Sequence, residues 1–412
     1  MKYFKNTELA KLYNVSEKSV RNWIEAAKEG KLDLQLFYEG ERAYIADSTK
    51  NSNVIERLVD KGKKYKNSRG HKVISPTAAF YELFDAKDIF DIVSNLDIYK
   101  EIPLQYSYFD GGAKIWDTYV QRLAGEDSPN ILKNTIELLN LSEPYIEGIV
   151  GSDAKINVVD IGPGNCYPVR ELLEKLVKEN RLNRYICIDI SPSMLEIAEK
   201  NIRKWFGKRV KFEGYTRDIT YERFDDLLAL DSFDKEQIIH NVVLFLGSTM
   251  SNFREPSEPL HTIHNSMGKN DLLVFSKQLD TLKARRYFDF YTQSEEPGHL
   301  QLPPKSRFAI ELLNIDRSLY DIELFFDKEK MSRRAQVRLK VALSIEFNLN
   351  GRAKVINFNK GDSLLLYRHN HQDTFQTISQ LDKNSFDVLG VMTSKDGECI
   401  LSISKVKSSD LI

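Results

Sequence analysis

The chain of 412 residues is 42% hydrophobic and 29% charged, enough apolar content for full-sized cores, so global disorder is excluded and two or three domains are expected. No apolar run approaches the roughly 20 residues of a membrane span, no apolar leader follows Met1, and the three cysteines lack paired spacing, so the sequence reads as soluble and cytoplasmic, without a disulfide framework or a metal site. The net charge of -1 divides unevenly, because residues 1–75 hold 16 Lys and Arg against 10 Asp and Glu, a basic head on an acidic body.

Residues 6–30 read as helix, tight turn, helix. Thr7 is the expected cap of the first helix, with Leu9, Ala10 and Leu12 inward, and Tyr13-Asn14-Val15 makes the turn. Ser16 caps a second helix that buries Val20, Trp23 and Ile24 and turns Lys18, Ser19, Arg21 and Asn22 outward. Leu36-Phe37-Tyr38 and Arg42-Ala43-Tyr44-Ile45, joined around Gly40, form a hairpin. The stretch "ELAKLYNVSEKSVRNWI" resembles the start of MerR-like winged helix-turn-helix domains. That resemblance implies duplex DNA as a partner through Lys18, Ser19, Arg21 and Asn22, with protein docking as the other use of such a module.

Lys61 to Gly70 reads as a polar linker. Residues 77–145 are mostly helical in pattern, broken at Tyr106 to Gly112. From about residue 155 strands alternate with helices: strand 156–161, helix 169–177, strand 185–190, helix 192–205, then strands 241–246 and 271–276. This is the order of a parallel sheet covered on both faces. Period-two strands fill 332–372, and a helix at 374–381 leads to an antiparallel pair, 386–392 and 399–406.

The chemistry concentrates at Val158-Val159-Asp160-Ile161-Gly162-Pro163-Gly164-Asn165, a buried strand entering a glycine bend where backbone can approach a ligand closely. Asp189 ends the next apolar strand, 25 residues past Gly164, where a carboxylate accepts hydrogen bonds from ribose hydroxyls. A dinucleotide site wants a third glycine to admit pyrophosphate, and Tyr167 stands there instead. "DIGPGN", the acid at 189 and "SPSML" at 191–195 together fit S-adenosyl-L-methionine. Asp160, Gly162, Gly164, Asp189 and Ile190 are therefore candidate cofactor residues, as are Asp218 and Ile219 after the third strand and Gly247 after the fourth. Asp218 reads equally as a plain helix cap.

"LFLGSTMSNF" at 244–253 and "QYSYFDGGAKIWDTYVQRL" at 105–123 resemble segments of the histidine-specific N-alpha-methyltransferase family of the ergothioneine pathway, as does the long insertion carrying the Arg-rich strand 332–338. The resemblance implies a doubly wound α/β fold with a seven-stranded Rossmann-like sheet, interrupted by an α+β accessory substrate domain. The two resemblances together divide the chain into a helix-turn-helix and linker (1–72), a helical segment partly in the substrate domain (73–150), the cofactor core (151–278), the accessory domain (279–372) and a return to the core (373–412).

It also implies an N-methyltransferase for a small-molecule amine, with Asn252 and Tyr108 as catalytic candidates. Tyr106, Ser248, Thr249, Asn252, Tyr291 and Arg368 are the candidates for substrate contact, and Tyr287 and Tyr291 read either as cavity wall or as helix packing. The carboxylate and hydroxyl with which the family holds imidazole fall near Leu365-Leu366-Tyr367-Arg368-His369, where neither group stands, so histidine is expected to be a poor acceptor. Cys166 reads as packing and the His261/His264 and His369/His371 pairs as non-metal histidines; oligomeric state is left open. A DNA-bound ligand sensor, or a macromolecule methyltransferase targeted by its head, is the alternative function.

Overall fold

The computed structural model describes residues 3–13, 15–67, 71–229, 239–286 and 302–407. It comprises two compact units, Met1–Val73 with Ala342–Ser344, and Ile74–Val341 with Ile345–Ile412.

The first unit holds β1 (Tyr3–Phe4), α1 (Asn6–Leu12), α2 (Glu17–Lys28), β2 (Leu36–Glu39), β3 (Arg42–Ala46) and α3 (Thr49–Asn67), and its sheet runs β1-β3-β2. Leu9, Val20, Ile24, Ile45 and Ile55 form its core. Ser16 caps α2 by accepting the Ser19 amide at 3.1 Å, as its position before the apolar period predicts. Three expectations are corrected. α1 begins before Thr7, with the Glu8 carboxylate accepting the Lys5 amide at 3.0 Å in the capping role, and Leu12 lies 62% exposed. Helix continues through Asn67, so most of the presumed linker is a regular extension of α3. Asn14 lies outside the described residues.

After β4 (Lys72–Ile74), the second unit opens with α4 (Ala78–Leu83), α5 (Ala86–Tyr99), α6 (Gly111–Gly125) and α7 (Ile131–Val150). A short 3-10 turn, Leu104–Tyr108, precedes α6 where the sequence breaks. The core then alternates: β5 (Lys155–Ile161), α8 (Arg170–Lys178), β6 (Leu182–Asp189), α9 (Pro192–Phe206), β7 (Phe212–Thr216), α10 (Asp225–Leu228), β8 (Ile239–Phe245), α11 (Ser257–Ser266) and β9 (Leu272–Gln278). Beyond α12 (Leu282–Arg286) and α13 (Pro304–Leu312) come β10 (Tyr320–Asp327), β11 (Ser332–Leu339), β12 (Leu343–Leu349), β13 (Arg352–Phe358) and β14 (Ser363–Asn370). α14 (Thr374–Lys383), β15 (Phe386–Thr393) and β16 (Cys399–Val406) complete the described chain.

Seven strands form a sheet ordered β15-β16-β9-β8-β5-β6-β7, in which β16 alone is reversed, antiparallel to both β15 and β9. Its strands are apolar at consecutive positions because both faces are covered. Val158, Val242 and Leu244 face one core with Leu138 and Ala198, while Val159, Val243 and Phe245 face the other with Leu260 and Leu381. An antiparallel sheet, β10-β11-β14, stands beside this core as the accessory layer. Among the described residues no helix is long and apolar enough to cross a membrane.

Candidate functional site

A cavity of about 530 Å³ opens at the carboxyl ends of β5, β6, β8 and β9, within the range of small-ligand sites. Gly162 and Gly164 form its floor with φ of 64° and 55°, a left-handed bend that side chains resist. A methyl group on Gly164 would stand 3.1 Å from Trp116 Nε1, so the bend is pressed directly against α6. Asn165 adds a second tie, donating to the Asp117 carboxylate at 2.8 Å.

Asp160 is buried under the bend and receives the Tyr185 hydroxyl at 2.9 Å; burial nevertheless pushes its carboxyl up to about 7. Asp189 closes β6, accepts the Ser191 amide at 2.9 Å, and is likewise pushed up to about 7 by burial. Ser191 explains the "SPSML" motif in physical terms. Its hydroxyl oxygen accepts the Met194 amide at 3.2 Å to cap α9, and its proton goes to the Tyr108 carbonyl at 2.7 Å, which fixes the tyrosine segment to the strand end.

Ile190, Asp218 and Ile219 line the same cavity. Asp218 also accepts the Thr220 amide at 2.9 Å, so it makes a local turn while facing the cavity. After β8, Gly247 turns with φ 75° and donates its amide to Ser276 at 3.0 Å, and Ser248 leads into the turn Thr249–Asn252. Thr249 lies against Gly162, 3.5 Å from where a Cβ would stand, which joins the β8 loop to the β5 bend. Asn252 Oδ1 is buried with no hydrogen-bond partner among the described residues, an acceptor facing the cavity.

Among the expected substrate residues, Tyr108, Ser248, Thr249 and Asn252 line the cavity. Tyr106 does not. It is buried among Phe84 and Phe109, with its hydroxyl on Asp91 at 3.0 Å. Arg368 is a second correction, since its guanidinium donates to the buried Glu101 at 2.6 Å, and strand alternation sends its neighbours Tyr367 and His369 into the cavity instead. Tyr287 and Tyr291 lie outside the described residues. Sequence reasoning missed Trp116, Gln278, Arg333, Tyr367 and His369, all on the cavity wall. The signal available for the last two was the period-two pattern of 363–370, once its register is known. Cys166 packs at φ 63° with its sulfur 3.2 Å from the Tyr185 hydroxyl oxygen, a packing role. Among the described residues no His, Cys, Asp or Glu cluster of metal-binding kind occurs.

The chemistry of these groups fits a nucleoside-bearing cofactor: a half-buried strand-end carboxylate for ribose hydroxyls, apolar Ile190 and Ile219 for a base, and a bare glycine bend. Residues 87–406 match the model of a family described as histidine-specific, SAM-dependent methyltransferases. Similar solved structures include an S-adenosylmethionine-dependent methyltransferase from Clostridium acetobutylicum (11% identity, 72% of this chain and 97% of that one, TM-score 0.35). Magnesium protoporphyrin IX methyltransferase from Synechocystis PCC 6803 is another (12%, 73% and 96%, 0.36). A third is the glycopeptide N-methyltransferase MtfA with S-adenosyl-L-homocysteine (12%, 66% and 89%, 0.33). No curated protein matches the chain significantly.

Proposed function

The chain belongs to the histidine-specific, S-adenosylmethionine-dependent methyltransferase family, and on that premise we propose that it N-methylates a small-molecule amine other than histidine. When bound, S-adenosyl-L-methionine supplies an electrophilic methyl group. Asp160, Gly162, Gly164, Asp189, Ile190, Asp218, Ile219 and Gly247 are the residues assigned to hold it, with Asp189 taking the ribose hydroxyls. Residues 151–278 with 373–412 act as the cofactor core, and 279–372 with part of 73–150 as the acceptor side.

The observation that carries the reading is Asn252 Oδ1, a buried acceptor without a partner among the described residues, on the same cavity as the glycine bend. An amine N–H donating to it would be restrained on the cavity assigned to the cofactor, and orientation of this kind supplies several kcal/mol of rate acceleration. Tyr108 lines the same cavity, its backbone fixed by Ser191, and its hydroxyl is the group assigned to bond the amine or pass on the proton of an ammonium. Asn252→Ala should therefore lower kcat roughly 100-fold while cofactor affinity stays unchanged, read by S-adenosylhomocysteine release and calorimetry.

Histidine is expected to be a poor acceptor, and the support for this lies in β14. Tyr367 and His369 are the cavity-facing side chains of β14, and neither offers an imidazole N–H the carboxylate acceptor that would hold it. A site lacking the hydrogen-bond partner of a polar group rejects it steeply, so histidine should turn over at least about 100-fold more slowly than the preferred amine. Efficient trimethylation of free histidine by the purified protein would refute this reading.

The first unit supports a second activity, binding of duplex DNA. Lys18, Arg21 and Asn22 are exposed on α2, Ser19 is half-buried beside the Ser16 cap, and the β2–β3 hairpin follows as a wing. We propose that α2 enters a major groove, as the second helix of a winged helix-turn-helix does. Mobility shifts with genomic fragments from around its own gene should then weaken by roughly 0.9 log units per phosphate contact for each tenfold rise in salt. Arg21→Ala should weaken retention further without changing cofactor affinity. No retention of any fragment at low salt would point to protein docking instead.

A further inference from the structure

We propose that Arg254 positions Asn252 from outside the cavity, through a clamp on Glu101 that joins the loop after β8 to the acceptor-side strand β14. This rests on the reading of Asn252 as the group that orients the amine.

A group that orients a reactant must be held to within about 0.5 Å, and a single turn at a strand end needs outside support to achieve that. The turn Thr249–Asn252 ends at Phe253, where the backbone returns to extended values, φ -71° and ψ 144°. Two ties follow at once. Asn370 of β14 donates to the Phe253 carbonyl at 2.8 Å, and the Arg254 guanidinium donates to Asn95 Oδ1 of α5 at 2.9 Å. Asn95 is fixed in its turn, since its Nδ2 donates to the Asp91 carbonyl at 2.9 Å and the Asp91 carboxylate at 3.0 Å. The same guanidinium lies over the Tyr99 ring, 3.5 Å from its centre, and Nη1 stands 3.6 Å from Glu101 Oε2. Arg254 is thus bracketed by an amide, a ring face and a carboxylate.

Glu101 is where the loop meets the accessory sheet. It is 8% exposed, and the oxygen that faces Arg254 also accepts Arg368 Nη2 at 2.6 Å. The chain on either side of it is sewn to β14: the Leu365 amide donates to the Lys100 carbonyl, and the Ile102 amide to the Leu365 carbonyl, each at 2.9 Å. Removing the carboxylate would leave the buried Arg368 charge unmatched, so the three groups hold one another in place. Arg368 stands between Tyr367 and His369, both on the cavity wall, and Arg254 lies two residues past Asn252. None of Glu101, Arg254 and Arg368 lines the cavity. The clamp therefore sets the spacing between the acceptor wall and Asn252 without touching a reactant.

The test is a double-mutant cycle on the full chain: Arg254→Met, Asn252→Ala and the two combined, with Arg254→Lys as the conservative variant. The acceptor is the most active member of a panel of the twenty amino acids and the amines they give on decarboxylation. S-adenosylhomocysteine release reads kcat and KM, and calorimetry reads cofactor affinity. Arg254→Met should lower kcat roughly 10- to 100-fold by misplacing Asn252, with cofactor affinity unchanged. Arg254→Lys should recover part of that loss, because it keeps a charge toward Glu101. In the combined variant kcat should fall no further than in Asn252→Ala alone, since residues that act as one unit are not additive. Glu101→Gln, run through the same cycle, should repeat the pattern and serves if Arg254→Met does not fold. Losses that multiply, a cofactor affinity that falls with kcat, or a wild-type kcat in Arg254→Met overturn the positioning role and leave the amine reading standing. A wild-type kcat in Asn252→Ala, or cofactor binding with no turnover of any panel member, overturns the amine reading and the clamp together.

Discussion

Gly112→Ala is expected to cost on the order of 3 kcal/mol of stability and most of the activity, although Gly112 touches neither cofactor nor acceptor. A Cβ at this position would stand 1.9 Å from the Ser107 carbonyl oxygen and 2.7 Å from its carbon. Those are backbone atoms, so no rotamer relieves the clash. Relief requires shifting the turn Leu104–Tyr108 away from α6, and that turn carries Tyr108 while α6 carries Trp116 and Asp117, which press on the glycine bend. Gly125, at the other end of α6, has open space around it, so Gly125→Ala is the internal control and should be neutral or stabilising by up to about 1 kcal/mol. Urea unfolding and kcat measured on both variants settle the matter. Equal stabilities would show that the corner is not packed as described.

Asp189→Ala should weaken S-adenosyl-L-methionine binding by about 1.5–3 kcal/mol, the value of hydrogen bonds to a charged acceptor, in a protein that remains folded. Calorimetry reads it directly, and an unchanged affinity would remove Asp189 from the site. The wild-type affinity should also depend on pH. Burial raises the Asp189 carboxyl to about 7, and ribose hydroxyls favour the ionised form. Binding therefore expels a proton at pH below about 7, so affinity climbs with pH up to that point and then levels. Stability of the cofactor-free protein runs the other way. The folded chain keeps protons on Asp160 and Asp189 that an unfolded chain releases near pH 4, so their contribution to stability is lost as pH rises from about 4 through 7.

The core strands were legible because burial on both faces leaves an uninterrupted apolar run, as in Tyr185–Ile188, bounded by polar ends. The terminal helix and strand pair were equally plain, since Asp373 announces α14 by capping it and Lys395-Asp396-Gly397 announces the turn. What failed was orientation. At Leu366 to His369 the sequence alternates nothing useful, for Tyr, Arg and His are all amphipathic, and only pairing with β11 decides that 367 and 369 face the cavity while 368 meets Glu101. Lysines at 61–66 suggested solvent and hence a linker, but lysine is a good helix former and α3 simply extends. Lys277 was beyond reach for the opposite reason. It is 1% exposed, donates to Gln372 at 2.8 Å, and is driven down to about 7 by burial, a placement no composition rule anticipates.

The order of strands in the central sheet also constrains how the molecule is assembled in time. β9 ends at Gln278, yet its partner β16 begins only at Cys399, so about 120 residues must be spanned before that edge of the sheet can zip shut. Closing so long a loop costs entropy in advance of any reward, and topologies rich in such distant pairings fold slowly. Until β16 arrives, β9 presents an open, wholly apolar edge, Leu272 to Phe275, during maturation. In that interval the nascent chain is at its most vulnerable to pairing with the wrong strand, its own or a neighbour's.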